Sequence, residues 1–190
     1  MTNHEHAQRF HRLHQQGTLV LPNAWDAASA AVMVAAGAGA VATTSSGVSW
    51  SLGVPDGENL RRDEMAAAIA RIVRAVDVPV TADVEAGYGP TPADVAATIA
   101  AVADAGAVGA NLEDRPGPAG AVLWPVAQQC ERLAAARTAA DRGGARFVLN
   151  ARTDVFLASV GVPEERAGMV LARAEASTGR PVPIASSSPA

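Results

Sequence analysis

Short apolar runs alternate with helical patterns at a near-constant interval, and this constrains the chain more than any other feature. Strand-like runs stand at 19–21, 39–43, 78–83, 108–112 and 147–149. Helical apolar spacing occupies 26–36, 60–75, 92–105, 126–140 and 163–177. Met65, Ile69, Ile72 and Val76 share one helical face. Thr91-Pro92 supplies an N-cap followed by proline at the first helical position. Alternation of this kind predicts parallel strands with helices outside. Ligands of such folds gather at the carboxyl ends of the strands. Asp83, Glu85, Glu113 and Arg152 fall at or just past those ends.

A closed eight-stranded barrel typically takes about 250 residues, and the 190 residues here hold five units. The expected fold is therefore α/β, of the (β/α)8 TIM-barrel type but incomplete. A partial barrel domain is expected over 1–177 and a disordered Pro/Ser-rich tail over 178–190. Absent strands would leave two open sheet edges. Low stability, aggregation or compensating oligomerisation is the expected consequence.

The segment Thr81-Ala-Asp83-Val-Glu85-Ala-Gly87-Tyr88-Gly89 carries the densest chemistry. On a strand, alternate side chains share a face, so Asp83 and Glu85 are expected on one side and Val84 in packing on the other. Two adjacent carboxylates repel unless a cation lies between them. Mg²⁺ suits them, because it takes hard oxygen ligands and often only one or two carboxylates. Glu113-Asp114 closes another strand in the same way. Solvated loop acids or helix caps would give the same spacing, and spacing alone leaves both readings open.

Composition excludes several chemistries. All fifteen basic residues are Arg, so Schiff-base chemistry and covalent attachment of pyridoxal phosphate, which need a lysine amine, cannot occur within this chain. The four histidines all lie within the first fourteen residues, which suits a polar first helix better than a metal tract and leaves the later loops without an imidazole base. A single cysteine rules out an intrachain disulfide and a cysteine-only zinc site. The net charge of −4 gives no reason to expect nucleic acid. No signal peptide or membrane-spanning run is legible, so a cytoplasmic protein is expected.

Six segments together resemble the isocitrate lyase / phosphoenolpyruvate mutase superfamily, specifically its phosphoenolpyruvate-mutase-like (carboxyvinyl-carboxyphosphonate phosphorylmutase-like) branch. They are Leu21-Pro-Asn-Ala-Trp-Asp26, Thr43-Thr-Ser-Ser-Gly-Val48, Leu52-Gly-Val-Pro-Asp56, Thr81 to Gly89, Asn111-Leu-Glu-Asp114 and Asn150-Ala-Arg-Thr-Asp154. The resemblance implies a TIM barrel, commonly a homotetramer, that makes or breaks a C–C or P–C bond beside a small 2-oxo acid or enolpyruvate with Mg²⁺ or Mn²⁺. It implies Asp83, Glu85 and Glu113 as the metal site, mostly through bound waters. Asp56 matches an acid close to the metal, and Arg152 an arginine that reaches the substrate. Ser46, Gly47 and Val48, with Thr44, match the segment whose hydroxyl and backbone amides hold a carboxylate or phosphoryl group. Trp25 would line the pocket or close the barrel floor. Arg152 could instead simply pair with Asp154 at a strand end.

Cleaving a bond beside a 2-oxo acid leaves an enolate, whose charge a divalent ion stabilises as a Lewis acid. The loop Asp114-Arg-Pro-Gly-Pro-Ala-Gly-Ala121 departs from the family. It lacks the Cys, His and Lys of the lyases, which speaks against isocitrate and methylisocitrate cleavage, and it lacks the Lys, Asn and Ser of the mutases. Asp83-Val-Glu85 also replaces the Asp-x-Asp of many members. The alternatives are a non-catalytic truncated remnant or binding module of the same family, an oxaloacetate hydrolase, and a Mg²⁺-dependent aldolase.

Overall fold

The structure is a computed structural model that describes residues 1–117, 123–144 and 146–179. Five strands form one parallel sheet: β1 (Asn23–Ala24), β2 (Val41–Thr43), β3 (Val80–Asp83), β4 (Gly109–Leu112) and β5 (Val148–Ala151). They lie in sequence order, β1-β2-β3-β4-β5. Sequential parallel neighbours joined by helices make the wall of a (β/α) barrel rather than a doubly wound sheet. Among the described residues the sheet is an open arc with edges at β1 and β5.

The helices are α1 (Asn3–Leu13), α2 (Ala27–Ala35), α3 (Ser45–Ser51), α4 (Arg62–Ala75), α5 (Pro92–Asp104), α6 (Val126–Arg142) and α7 (Arg166–Thr178). The main core joins β3 and β4 to α4, α5 and α6, through Ala82, Val84, Ala110 and Leu112 on one side and Ile69, Ile99 and Leu133 on the other. Phe10 of α1 is buried with Ala40 and Val108. Gly109 explains how that helix gets so close. A Cβ there would lie 2.9 Å from both the Thr81 hydroxyl and the Val148 carbonyl, and 3.0 Å from the Phe10 ring.

Two expectations change. The first strand is Asn23–Ala24 rather than 19–21. Pro22, which has no N–H, offers only its carbonyl to the ladder, accepting from Ala42, while Ala24 accepts from Thr44. Leu19 and Leu21 instead pack beside Phe10. The second change is α3, a short helix N-capped by Thr44 in a Ser/Thr/Gly stretch without helical apolar spacing. The tail expected at 178–190 lies outside the described residues from 180 onward; Thr178 itself closes α7, and Gly179, at φ +63°, caps it. No described helix is long and apolar enough to cross a membrane.

Candidate active site

A cavity of about 950 Å³ opens at the carboxyl ends of the strands, and each strand contributes a residue in it or just past it: Asn23, Thr43, Asp83, Asn111 and Arg152 all line the cavity. Of the residues singled out from sequence, Thr44, Ser46, Asp56, Asp83, Glu85, Glu113 and Arg152 line this cavity. Gly47, Val48 and Trp25 do not. Val48 is fully buried in the main core. A Cβ on Gly47 would lie 2.8 Å from the Thr44 methyl and 2.9 Å from Trp25 Cβ, so the space freed by this glycine is taken by protein. The Gly47 and Val48 amides donate to the Thr44 hydroxyl (3.5 Å) and carbonyl (2.9 Å), completing the start of α3. Trp25 is 44% exposed.

Asp83 ends β3 and is 8% exposed. Its Oδ2 accepts from the Ser45 amide (3.0 Å) and hydroxyl (2.8 Å), and its own amide donates to the Thr43 hydroxyl at 2.8 Å. Its Oδ1 is buried without a partner. A buried carboxylate oxygen with no donor is costly, and a hard cation would satisfy it.

Glu85 lies beyond the strand, so the two-residue alternation no longer applies. It reaches the cavity through a left-handed backbone, φ +50°, while Val84 packs in the core as expected. Glu58 and Tyr88 share that conformation, at φ +58° and +56°. The three are tied together. The Glu58 amide donates to Glu85 Oε2, the Tyr88 amide donates to Glu58 Oε1 at 2.6 Å, and the Tyr88 hydroxyl donates to Glu85 Oε1 at 3.1 Å. Beneath them Arg132 is fully buried and donates to the carbonyls of Ala86, Gly89 and Pro90. Its guanidinium lies 4.7 Å from the centre of the Trp124 ring, in cation–π range.

Burial pushes the Glu85 carboxyl up to about 7, with the Asp56 and Glu58 charges adding to it against the hydrogen bonds from Glu58 and Tyr88. Burial also pushes Glu113 up to about 8; Arg152 opposes this, and Asp83, Asp154 and Glu85 reinforce it. Burial, with the Glu85 charge, raises Tyr88, which stays a phenol.

Arg152 is engaged on both sides. It donates Nε to Asp154 Oδ1 (2.9 Å) and Nη2 to Asp154 Oδ2 (3.1 Å), and it pairs with Glu113. Burial works to lower its pKa, but Asp154 and Glu113 outweigh that and raise it. The pairing with Asp154 weighed from sequence is therefore present, and Glu113 joins it. Behind this group Asp114 accepts from the Asp154 amide (2.8 Å), the Thr153 hydroxyl (2.6 Å) and Arg173 Nε (2.7 Å).

Sequence reading passed over Ser45, Glu58 and Arg115. Ser45 stands in a Thr-Thr-Ser-Ser run after a strand, a helix-start signal that marks its amide as unpaired within the helix. Glu58 carries no such signal beyond the neighbouring Gly57. The loop 114–121 is described only to Gly117. Among the described residues no three His, Cys, Asp or Glu side chains converge to hold a metal directly.

The charge state of this group has a consequence for stability. Folded Glu85 and Glu113 keep protons up to about pH 7 and 8, whereas the unfolded groups lose them near 4.5. Between those values the folded state binds more protons, so stability falls as pH rises. The contribution is fully present below about 4.5 and is lost through about 8. Melting temperature in a chelating buffer is expected to drop by several degrees between pH 5.5 and 8.5, and by less in excess Mg²⁺. A flat or rising profile in chelator would contradict this account of the two carboxyls.

A family model described as phosphoenolpyruvate phosphomutase matches residues 10–178. The chloroplastic carboxyvinyl-carboxyphosphonate phosphorylmutase of Arabidopsis thaliana is 35% identical over 156 residues, covering 77% of this chain and 45% of that protein. A crystal structure from Burkholderia cenocepacia J2315, assigned as a phosphonomutase, superposes with a TM-score of 0.87 at 47% identity, covering 92% of this chain and 71% of the other. A phosphonopyruvate hydrolase in complex with oxalate and Mg²⁺ superposes with a TM-score of 0.81 at 25% identity, covering 94% and 60%. The chain spans about half the length of the curated relatives it matches, 40% to 55%.

Proposed function

We propose a reaction class from the premise that this chain belongs to the phosphoenolpyruvate phosphomutase family: Mg²⁺-dependent making or breaking of a C–C or P–C bond adjacent to a small 2-oxo acid. The buried, unpartnered Oδ1 of Asp83 carries the reading. It belongs to a residue that lines the cavity, Ser45 holds the other oxygen of the same carboxylate, and burial has raised the pKa values of the neighbouring Glu85 and Glu113.

The donor set suits a hard divalent cation. Asp83 Oδ1 would contact it directly, and Glu85 and Glu113 would reach it through water, since no three side chains converge as direct ligands. A bound Mg²⁺ supplies Lewis acidity to the carboxylate and oxo oxygens of a 2-oxo acid. The protein's own residues do the rest. Ser45 fixes the Asp83 rotamer through two hydrogen bonds. Glu58 and Tyr88 hold Glu85. The Thr44 and Ser46 hydroxyls, 3.1 Å apart, offer hydrogen bonds to a substrate carboxylate. Asp56 stands on the cavity wall as a carboxylate beside the reacting group. Arg152, fixed by two acids, places a planar guanidinium at the end of β5.

The test is a thermal-shift titration with Mg²⁺ and oxalate, separately and together, followed by turnover assays on oxaloacetate and phosphonopyruvate. Stabilisation that requires both ligands, with metal-dependent turnover, is expected. Absence of any joint shift and of turnover would overturn the reading.

A further inference from the structure

We infer that Arg115 is the guanidinium that receives a second anionic group of the substrate. The inference rests on the 2-oxo acid reading above and adds which residue reads the far end of that molecule. Two guanidiniums line the cavity, Arg115 and Arg152. Arg152 is matched by the bidentate Asp154 and also contacts Glu113, so its donors are already engaged. Arg115 is exposed and has no hydrogen bond or ion pair among the described residues.

The backbone leading to it is held by hydrogen bonds, although its side chain is free. Just before it, the Glu113 amide donates to the Glu85 carbonyl at 2.8 Å, and Gln129 Nε2 donates to the Glu113 carbonyl at 3.1 Å. Asp114 is pinned through its carboxylate, and its carbonyl accepts from the Trp124 amide at 2.7 Å. Pro116 follows, which keeps the Arg115 backbone extended. The result is a long cationic arm on the cavity wall, preceded by hydrogen-bonded backbone.

The cavity explains why such an arm matters. Six acidic side chains line it against two guanidiniums. A dianionic substrate entering this field needs a positive group beyond the one that takes its 2-oxo carboxylate. Arg115 is the cavity-lining guanidinium whose charge is not already matched. A guanidinium fork accepts a distal carboxylate or a phosphonate equally well. The ligand class is thus a 2-oxo acid bearing a second oxyanion on its third carbon.

Calorimetric titration in excess Mg²⁺ tests this with four probes: oxalate, pyruvate, oxaloacetate and phosphonopyruvate. Arg115→Gln is expected to bind oxaloacetate, phosphonopyruvate or both about 10- to 100-fold more weakly, the effect of losing one charge-assisted bidentate contact. Oxalate, pyruvate and Mg²⁺ should bind as in the wild type, and Arg115→Lys should recover part of the loss. The probe that loses more identifies the anion. Equal affinity of wild type and Arg115→Gln for both dianions would overturn the inference, as would a uniform loss across all four probes. Should wild type fail to bind oxalate with Mg²⁺, the reaction class fails, while an Arg115-dependent loss of a dianion would still uphold the anion site. An unchanged melting temperature, expected for an exposed and unbonded side chain, excludes unfolding as the cause.

Discussion

Asp83→Asn is expected to leave the chain folded and to weaken its affinity for divalent cations by about 100-fold or more, in line with the several kcal/mol that a metal centre contributes. The geometry sets up this outcome. Both donors from Ser45 converge on Oδ2, so an asparagine places its carbonyl oxygen there and keeps both hydrogen bonds. Its amide group then occupies the position of Oδ1, the atom without a partner, and presents donors where a cation needs an acceptor. A buried charge is lost at the same time, so stability in chelator should hold or rise. Calorimetric Mg²⁺ titration alongside thermal melts separates the two effects. Wild-type cation affinity in this variant would remove Asp83 from the site. A collapsed melt would mean that its charge is needed for folding.

Asp114→Ala is expected to cost about 3–5 kcal/mol, the range for removing one partner of a buried ion pair. In a domain of this size that lowers the melting temperature by about 10 °C or more. The carboxylate is nearly fully buried and accepts three hydrogen bonds, from the Asp154 amide, the Thr153 hydroxyl and Arg173. Truncation strands all three donors, including a guanidinium that is itself mostly buried. Asp114→Asn should fall between, because one oxygen still serves the β5 loop while Arg173 loses its charge partner. Urea denaturation of both variants measures the costs. A loss below about 1 kcal/mol in the alanine variant would place this contact among ordinary surface pairs.

The parts of the molecule legible in the sequence are those whose causes are local. Strands β2 to β5 and helices α4 to α7 follow from apolar spacing, capping residues and glycines, all within a few positions of one another. The first strand was displaced because 19–21 is apolar enough for a strand, while the ladder is set by the carbonyls of Pro22 and Ala24 against a neighbour far along the chain. Helix α3 was missed because Ser, Gly and Thr carry no amphipathic period. At the site, Asp83, Glu85, Glu113 and Arg152 stood out because strand ends collect function. Their partners did not. Ser45 meets Asp83 across 38 positions, and Arg152 meets Glu113 only because Leu112 and Ala151 are in register. Asp154, two residues from Arg152, was within local reach, and its pairing was foreseen. The assignment of Gly47 and Val48 to substrate contact assumed that a glycine marks an open approach, whereas here it marks where Trp25 packs.

The linked left-handed residues make the site report on itself. The amide protons of Glu58 and Tyr88 are bonded to side-chain carboxylates rather than to backbone carbonyls. Their acceptors lose or regain negative charge whenever Glu85 or Glu58 takes up a proton or shares its electrons with a cation. Two backbone resonances in a nuclear magnetic resonance spectrum therefore track the electrostatic state of the cavity directly. No label, chromophore or turnover is needed to follow it.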